Sequence, residues 1–281
     1  MGVTTLVRTV VAAAFVGMLL VNYKYATEGQ FQQQLGSSYV DPDPITFSVW
    51  GIIYLLWLIL VVTQSVSDLG SVATNRPLIV AVFGCNALWL FVNAQELPWL
   101  AVWVLATYAY VLSVLYKRME VSYVNGGLQG LLVFPAVSAN LAWAIVAAAV
   151  NFSDTVVTEG WQTGDQWAIG IVGVATILAV VKLVYNLDVF YVAVTCWAFL
   201  GIHRYQKPGS DFPMEQSQQL SDIAAGLAIG LAALAGLALV GRLVYAVFDT
   251  RRVQIPCAYQ VVLRKRQQPS EGLKNPLLEN C

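Results

Sequence analysis

Long apolar stretches recur along this chain and leave few residues outside them. Eight runs carry little charge, and most approach the roughly 20 residues that a helix needs to cross about 30 Å of hydrocarbon. The runs cover residues 4–23, 45–66, 77–95, 98–116, 127–150, 166–187, 189–203 and 219–248, and the seventh is the shortest. The sequence therefore predicts an all-α integral membrane protein with about eight transmembrane helices.

The charged residues are scarce, and their placement predicts an orientation. They make up 11% of the 281 residues, against roughly 25% in soluble domains, and the net charge of -1 gives no reason to expect nucleic acid as a partner. If the N-terminus is cytoplasmic and all eight runs cross the membrane, twelve of the 15 Lys and Arg residues face the cytoplasm. Because cytoplasmic loops carry the excess of basic residues, both termini are predicted to be cytoplasmic.

Residue types that usually carry catalysis are scattered. The four cysteines are far apart, and the single histidine, His203, has no Cys or second His beside it. No nucleophile with a base, paired carboxylates or phosphate-binding glycine loop occurs at a workable spacing. Acidic residues lie almost wholly outside the apolar runs, which argues against a buried carboxylate relay of the kind found in proton-coupled pumps. The sequence thus supplies no metal centre, resident cofactor or catalytic group.

Three of the apolar runs carry aromatic and amide side chains at helical spacing. Residues three, four or seven positions apart share one face of a helix. Such rows occur at Trp50, Tyr54 and Trp57, at Asn86, Trp89 and Asn93, and at Asn140, Trp143 and Ala147. An unpaired amide is costly in hydrocarbon, so each Asn should bond either another helix or a ligand. One interpretation is that the amides hold helices together; the other is that the three faces line a pocket for a planar amphipathic molecule.

The same segments resemble the TspO/MBR family, the translocator or tryptophan-rich sensory proteins. Residues 47–54 are similar to its F-x-x-W-x-x-x-Y signature, residues 86–89 to its N-x-x-W, and residues 141–151 to its L-A-W-x-x-x-A-x-x-x-N. The resemblance implies a five-helix bundle over about residues 4–152 that binds porphyrins, sterols or similar ligands. It also implies that the pocket is lined by Trp50, Asn86, Trp89 and Trp143.

The chain also departs from the short members of that family. Pro135 lies eight residues before Trp143, whereas the family's proline lies closer to L-A-W. Residues 166–248 also add three apolar runs that the short members lack. We therefore predict three parts: a TspO-like five-helix core over residues 1–152, a three-helix membrane extension over 153–249, and a disordered basic cytoplasmic tail over 250–281. The connector 24–44 is interpreted either as a lid on a pocket or as a solvated loop.

The predicted function is binding of a planar hydrophobic ligand, such as a tetrapyrrole or a sterol-like molecule, for sensing, sequestration or delivery. The predicted ligand-binding residues are Trp50, Tyr54, Asn86, Trp89, Asn93, Asn140, Trp143 and Ala147. One alternative is a transporter of small amphipathic molecules. Another is a structural subunit of a homodimer or larger membrane complex, held through the small residues of Gly226-x-x-x-Gly230.

Overall fold

The computed structural model describes residues 3–27, 38–66, 70–125, 127–161, 164–209 and 216–248, and all regular secondary structure in these residues is helical. A short 3-10 helix, Pro44–Ser48, leads into the second α-helix. The α-helices are α1 (Val3–Thr27), α2 (Val49–Val66), α3 (Gly70–Ala94), α4 (Pro98–Asn125), α5 (Gly127–Thr158), α6 (Asp165–Asn186), α7 (Val189–Gln206) and α8 (Gln218–Phe248). The predicted tail, residues 250–281, lies outside the described residues.

The helices confirm the prediction of an all-α integral membrane protein. Within the described part of the chain, seven helices are long and apolar enough to cross a membrane, and α7 is not among them. This helix has 18 residues and ends in a polar turn that contains His203 and Arg204. It corresponds to the shortest of the predicted spans.

Several helices are longer than the apolar runs that predicted them. The α4 helix continues to Asn125 and α5 to Thr158, past the predicted ends at residues 116 and 150, whereas α3 begins at Gly70, ahead of the predicted residue 77. A helix can continue beyond the hydrocarbon, because its backbone hydrogen bonds are internal and its polar side chains reach the interface. The length of an apolar run therefore predicts only the membrane-embedded part of a helix, and the complete helix can be longer.

The fifth helix is the most enclosed of the membrane-length helices. In its most apolar window 78% of the residues are buried, against 17–39% in the six others. It packs against α2, α4 and α7; α3 packs against α1 and α4, and α6 packs against α7. Consequently α5 contacts α2, which carries another of the predicted aromatic rows, and also α7, a helix of the predicted extension. The proposed division between core and extension at residue 152 stays a prediction.

Residues 38–48, which we call the strap, run over α7 before the chain enters α2. The Asp43 N–H donates to the Gly201 carbonyl oxygen at 3.1 Å, and Gln206 Nε2 donates to the Tyr39 carbonyl oxygen at 3.1 Å. Arg204 donates to the Asp43 carboxylate through Nε at 2.5 Å and Nη2 at 3.1 Å. This part of the connector is buried against α7, so α7 fixes the place where α2 begins.

Packing divides the chain into two compact units, residues 1–235 and 236–281, and the second begins inside α8. In the first unit, α8 buries one face, made of Leu220, Ala224, Ala228 and Leu231. The two glycines of the G-x-x-x-G sequence, Gly226 and Gly230, are instead exposed, with no atom of the described chain within 4 Å of an added Cβ. These glycines therefore take no part in the packing of the first unit.

Candidate functional site

Four of the predicted aromatic residues form one cluster with Trp50 at its centre. The Trp50 ring stacks on Tyr54, with centroids 5.4 Å apart, and on Trp89, with centroids 6.3 Å apart. Trp143 meets Trp50 edge-on at 6.3 Å and an interplanar angle of 87°. Phe47, from the strap, meets Trp143 in the same manner at 5.6 Å. The rows on α2, α3 and α5 thus face one another, and their rings are in direct contact.

A first polar layer joins the cluster to α1. Tyr54 donates a hydrogen bond from its hydroxyl to Asn22 Oδ1, and Asn22 Nδ2 donates to Asn86 Oδ1 at 2.8 Å. The Asn86 side chain also lies beside the hydroxyls of Tyr54 and Tyr108. Asn86 is completely buried. This layer satisfies most of its own polar atoms and links four helices, as the interpretation of helix-holding amides requires.

A second polar layer is centred on Asn140 of α5. Its Oδ1 accepts hydrogen bonds from Trp57 Nε1 at 3.0 Å and from the Tyr108 hydroxyl at 2.7 Å. Trp57 and Tyr108 are each 1% exposed, so both bonds are enclosed by protein. Trp57, which the sequence placed in the α2 row, therefore packs inward, and its indole serves to bind α2 to α5.

Two buried donors on α5 have no acceptor among the described residues. Asn140 Nδ2 and Trp143 Nε1 are inaccessible and make no hydrogen bond. The two residues lie three positions apart, on one face of the helix. An unpaired N–H group in hydrocarbon costs several kcal/mol, and a native protein that keeps one usually has a partner for it elsewhere. Asn86 Nδ2 in the first layer is likewise buried without an acceptor among the described residues, so packing alone leaves three donors of the cluster unexplained.

The remaining predicted site residues lie at the edges of the cluster. Asn93 is half-buried one turn beyond Trp89, and Ala147 is buried one turn beyond Trp143. Trp89 Nε1 instead donates to Asn151 Oδ1 at 3.3 Å. Of the eight predicted residues, the structure brings six into the cluster or its polar layers, and these are Trp50, Tyr54, Asn86, Trp89, Asn140 and Trp143.

Sequence analysis missed three residues that bind this cluster: Asn22 and Tyr108 in the polar layers, and Asn151 as the acceptor for Trp89. Asn22 is a lone amide near the end of the first apolar run, a signal that was present and went unused. Asn151 is the last residue of the L-A-W-x-x-x-A-x-x-x-N motif, so its position was known but its contact with Trp89 was not. Tyr108 is one of several aromatic residues in α4, and the sequence offered no means to select it.

A cavity of about 470 Å³ lies away from the aromatic cluster, between α5, α6 and α7. None of the eight predicted ligand-binding residues lines it. Its wall on α5 includes Ile145, Val146, Ala149 and Val150.

A carboxylate is buried at the break between two of the apolar runs. Asp188, between α6 and α7, is completely buried. Its carboxylate accepts from the Ser138 hydroxyl at 2.7 Å, from the Tyr116 hydroxyl at 2.8 Å and from the Tyr191 N–H at 3.0 Å. The last bond caps α7. The break between these two apolar runs is thus enclosed by α4, which carries Tyr116, and by α5, which carries Ser138.

Comparison with known proteins identifies the family. A family model described as TSPO-like protein matches residues 3–240, which includes α1 to α7 and most of α8. No curated protein and no solved structure matches the chain. The family match extends well past residue 152, where the motif resemblance ended, and covers far more than half of the chain. The prediction made from the motifs of α2, α3 and α5 is confirmed: this integral membrane protein belongs to the TSPO-like family.

Proposed function

We propose that the protein binds a planar, largely apolar small molecule with hydrogen-bond acceptors, and that the site is the aromatic cluster of Trp50, Tyr54, Trp89 and Trp143. A tetrapyrrole is the ligand class that combines these properties. The single observation that carries the proposal is the pair of buried, unpaired donors on α5, Asn140 Nδ2 and Trp143 Nε1, the second of which belongs to one of the four contacting rings.

The ring geometry favours a flat ligand. A planar molecule held between two rings needs about 7 Å between them, twice the contact distance of about 3.5 Å. The centroids of Trp50 and Trp89 are already 6.3 Å apart, with the planes 27° from parallel. A small separation of α2 from α3 would admit such a molecule, whereas Trp143, nearly perpendicular to Trp50, would meet its edge.

The unpaired donors favour a ligand that bears acceptors. A wholly apolar ligand would leave both N–H groups without partners, and the cost in hydrocarbon would remain. A carbonyl, carboxylate or imine nitrogen at the ligand edge would accept from them. Binding of such a ligand would thus remove an energetic cost that the ligand-free protein carries. The site should therefore prefer a ligand with acceptors to an apolar ligand of the same shape.

The test is a titration of the full chain in lipid nanodiscs with protoporphyrin IX, followed by tryptophan fluorescence. We expect saturable quenching, because the porphyrin would lie against Trp50 and Trp89. Trp143→Phe keeps an aromatic ring and removes the N–H group, so it should weaken binding by about tenfold, equivalent to 1.4 kcal/mol. Trp50→Ala should abolish saturable binding.

Trp103→Phe is the matched control, because Trp103 lies in α4 and is 69% exposed. It should leave the dissociation constant unchanged. Quenching that never saturates, or that Trp103→Phe alters as much as Trp143→Phe does, would refute the site. Circular dichroism of each variant reports whether the helices persist.

Transport is the second candidate function, and Asp188 is the observation that favours it. Ionisable groups enclosed within membrane proteins often lie on a substrate or proton path. The competing explanation is structural, because Asp188 caps α7 and binds Ser138 and Tyr116. Proteoliposomes loaded with coproporphyrin distinguish the two: a transporter would release the porphyrin and lose that activity in Asp188→Asn, whereas a binding protein would show no release.

A further inference from the structure

The cavity between α5, α6 and α7 shares no lining residue with the aromatic cluster. We infer that it holds a neutral lipid with a single hydrocarbon chain and an uncharged polar head, of the long-chain alcohol or monoacylglycerol class. The inference rests on the chemistry of the walls, the dimensions of the space and its place along α6, each of which excludes other occupants.

The floor of the cavity is apolar and its mouth opens along α6. Buried side chains form the floor, and they are Val40, Val150, Val172, Ala198, Phe199 and Ile202. Gln166, Gly170 and Val174 are exposed and lie four residues apart, so they form one stripe of α6 beside the opening. Because α5 and α6 are long and apolar enough to cross a membrane, we place the opening along α6 in the hydrocarbon, where an apolar molecule of the bilayer is its natural occupant.

The dimensions favour one hydrocarbon chain. The lining residues of α6 run from Gln166 to Leu178, which spans about 18 Å at 1.5 Å per residue. With a volume of about 470 Å³ over that length, the cavity is elongated along α6. A single methylene chain, whose carbon atoms keep about 4 Å from their neighbours, fits such a shape. An elongated shape of this kind matches a chain better than the disc of a tetrapyrrole, the ligand proposed for the aromatic cluster.

The length also places the head group. About 18 Å is slightly more than half of the roughly 30 Å hydrocarbon thickness, so the occupant belongs to one leaflet. Gln166 and Trp167 lie in the first turn of α6, at the end where an interfacial head would be. Trp167 Nε1 already donates to Ser153 Oγ at 3.2 Å, which leaves the exposed Gln166 amide to bind the head.

No lining residue of the cavity is charged. An ionised head at the mouth would find neither a Lys nor an Arg in the wall, and moving a charge toward apolar surroundings is costly. A hydroxyl group can both donate to and accept from a carboxamide. The wall therefore discriminates against a carboxylate of the same chain length, which supplies a direct experimental comparison.

The experiment uses two photoreactive probes that differ only in their heads, a diazirine-bearing hexadecanol and the corresponding hexadecanoic acid, added to the full chain in phosphatidylcholine nanodiscs at pH 8. After irradiation, mass spectrometry maps the labelled peptides. We expect the alcohol to label α6 and the facing part of α5 saturably, with at least about tenfold less labelling there by the acid.

Two glycines of α6 provide a matched pair of variants. An added Cβ at Gly170 or at Gly173 meets no atom within 4 Å, so a side chain can leave the helix at either site without a clash at its first carbon. Only Gly170 lines the cavity. Gly170→Phe should fill the space and reduce labelling by about tenfold, whereas Gly173→Phe should leave it unchanged.

Three results would overturn the proposal: uniform labelling of all the lipid-facing helices, equal labelling by the alcohol and the acid, or equal effects of the two glycine variants. Porphyrin titration of Gly170→Phe separates this proposal from the one for the aromatic cluster. Unchanged porphyrin binding together with lost alcohol labelling supports two independent sites, and loss of both indicates that the variant disturbs the fold.

Discussion

The contact between the strap and α7 makes Gly201 the position at which a single methyl group should do the most damage. A Cβ added at Gly201 would lie 2.2 Å from Thr46 Oγ1 and 2.8 Å from both Thr46 Cγ2 and Pro42 Cβ. These distances are far below van der Waals contact, so Gly201→Ala must displace the strap from α7. The displacement would also lengthen the hydrogen bond from the Asp43 N–H to the Gly201 carbonyl oxygen, now 3.1 Å.

The expected cost follows from these two effects. Overpacking a closely packed contact costs about 1–3 kcal/mol, and a lost hydrogen bond adds about 1 kcal/mol. The total is about 2–4 kcal/mol. Replacing a helical glycine with alanine also stabilises the helix by about 0.5–1 kcal/mol, which offsets part of this loss. A control variant at another helical glycine carries the same gain, so the difference between the two variants is free of it. Gly173→Ala is this control, because its added Cβ has no neighbour within 4 Å.

The assay is thermal unfolding of both variants in nanodiscs, monitored by circular dichroism. At about 2–4 °C per kcal/mol for a chain of this size, Gly201→Ala should unfold about 4–16 °C below Gly173→Ala. Thr46→Ala removes two of the three clashing atoms, so adding it to Gly201→Ala should recover part of the loss, as a positive coupling in a double-mutant cycle.

Equal unfolding temperatures for the two alanine variants would refute the close approach of the strap to α7. A loss that Thr46→Ala fails to relieve would show that the damage lies elsewhere in α7.

Two further predictions concern α7 and α8. Arg204→Gln removes both hydrogen bonds to Asp43 and should lower the free energy of unfolding by only about 1 kcal/mol, because Arg204 is partly exposed. Arg204→Lys should recover little of this loss, since a lysine cannot form both bonds. Equal stability of the two variants and the unchanged protein in denaturant titrations would contradict this prediction. If a homodimer forms through α8, Gly226→Leu with Gly230→Leu should reduce the dimeric fraction counted by single-molecule photobleaching without lowering the unfolding temperature, because replacing a helical glycine favours the helix. An unaltered dimeric fraction would exclude that face.

The helical spacing of Trp50, Tyr54 and Trp57 was sufficient to predict which face of α2 points inward. Helix geometry alone places these residues together, and a lipid-facing helix gains nothing from such a row. The row on α5 behaved in the same way for Asn140 and Trp143. Local periodicity thus predicted the content of the cluster, because each row lies within one helix.

The same reasoning could not rank the aromatic residues of α4. Tyr108 is 1% exposed and binds Asn140, whereas Tyr110, two positions later, is 70% exposed. Residues two positions apart on a helix point in directions that differ by about 200°, so Tyr108 and Tyr110 cannot both face the core. With apolar residues on every side of α4, the sequence carried no contrast that would identify the inward face.

Pairings between distant segments were also beyond the sequence. Asp43 and Arg204 are separated by 161 positions, and the sequence of the strap shows no periodic pattern that would predict its partner. Their ion pair depends on α7 lying beside the start of α2, which is a property of the assembled bundle. The contacts of Asp188 with Ser138 and Tyr116 could not be predicted for the same reason, because they join residues of three distant segments. From the sequence, Asp188 only marks the end of one apolar run and the start of the next.

The most direct test of the ligand site is the indole N–H resonance of Trp143 during porphyrin titration of the protein with ¹⁵N-labelled tryptophan, assigned by its loss in Trp143→Phe. The chain has nine tryptophans, so each indole serves as an internal reference. The Trp143 proton should move downfield and saturate as it gains an acceptor, while that of Trp57, already bonded to Asn140, stays in place. A Trp143 resonance that stays fixed while exposed indoles such as Trp103 shift would contradict a ligand site at the aromatic cluster.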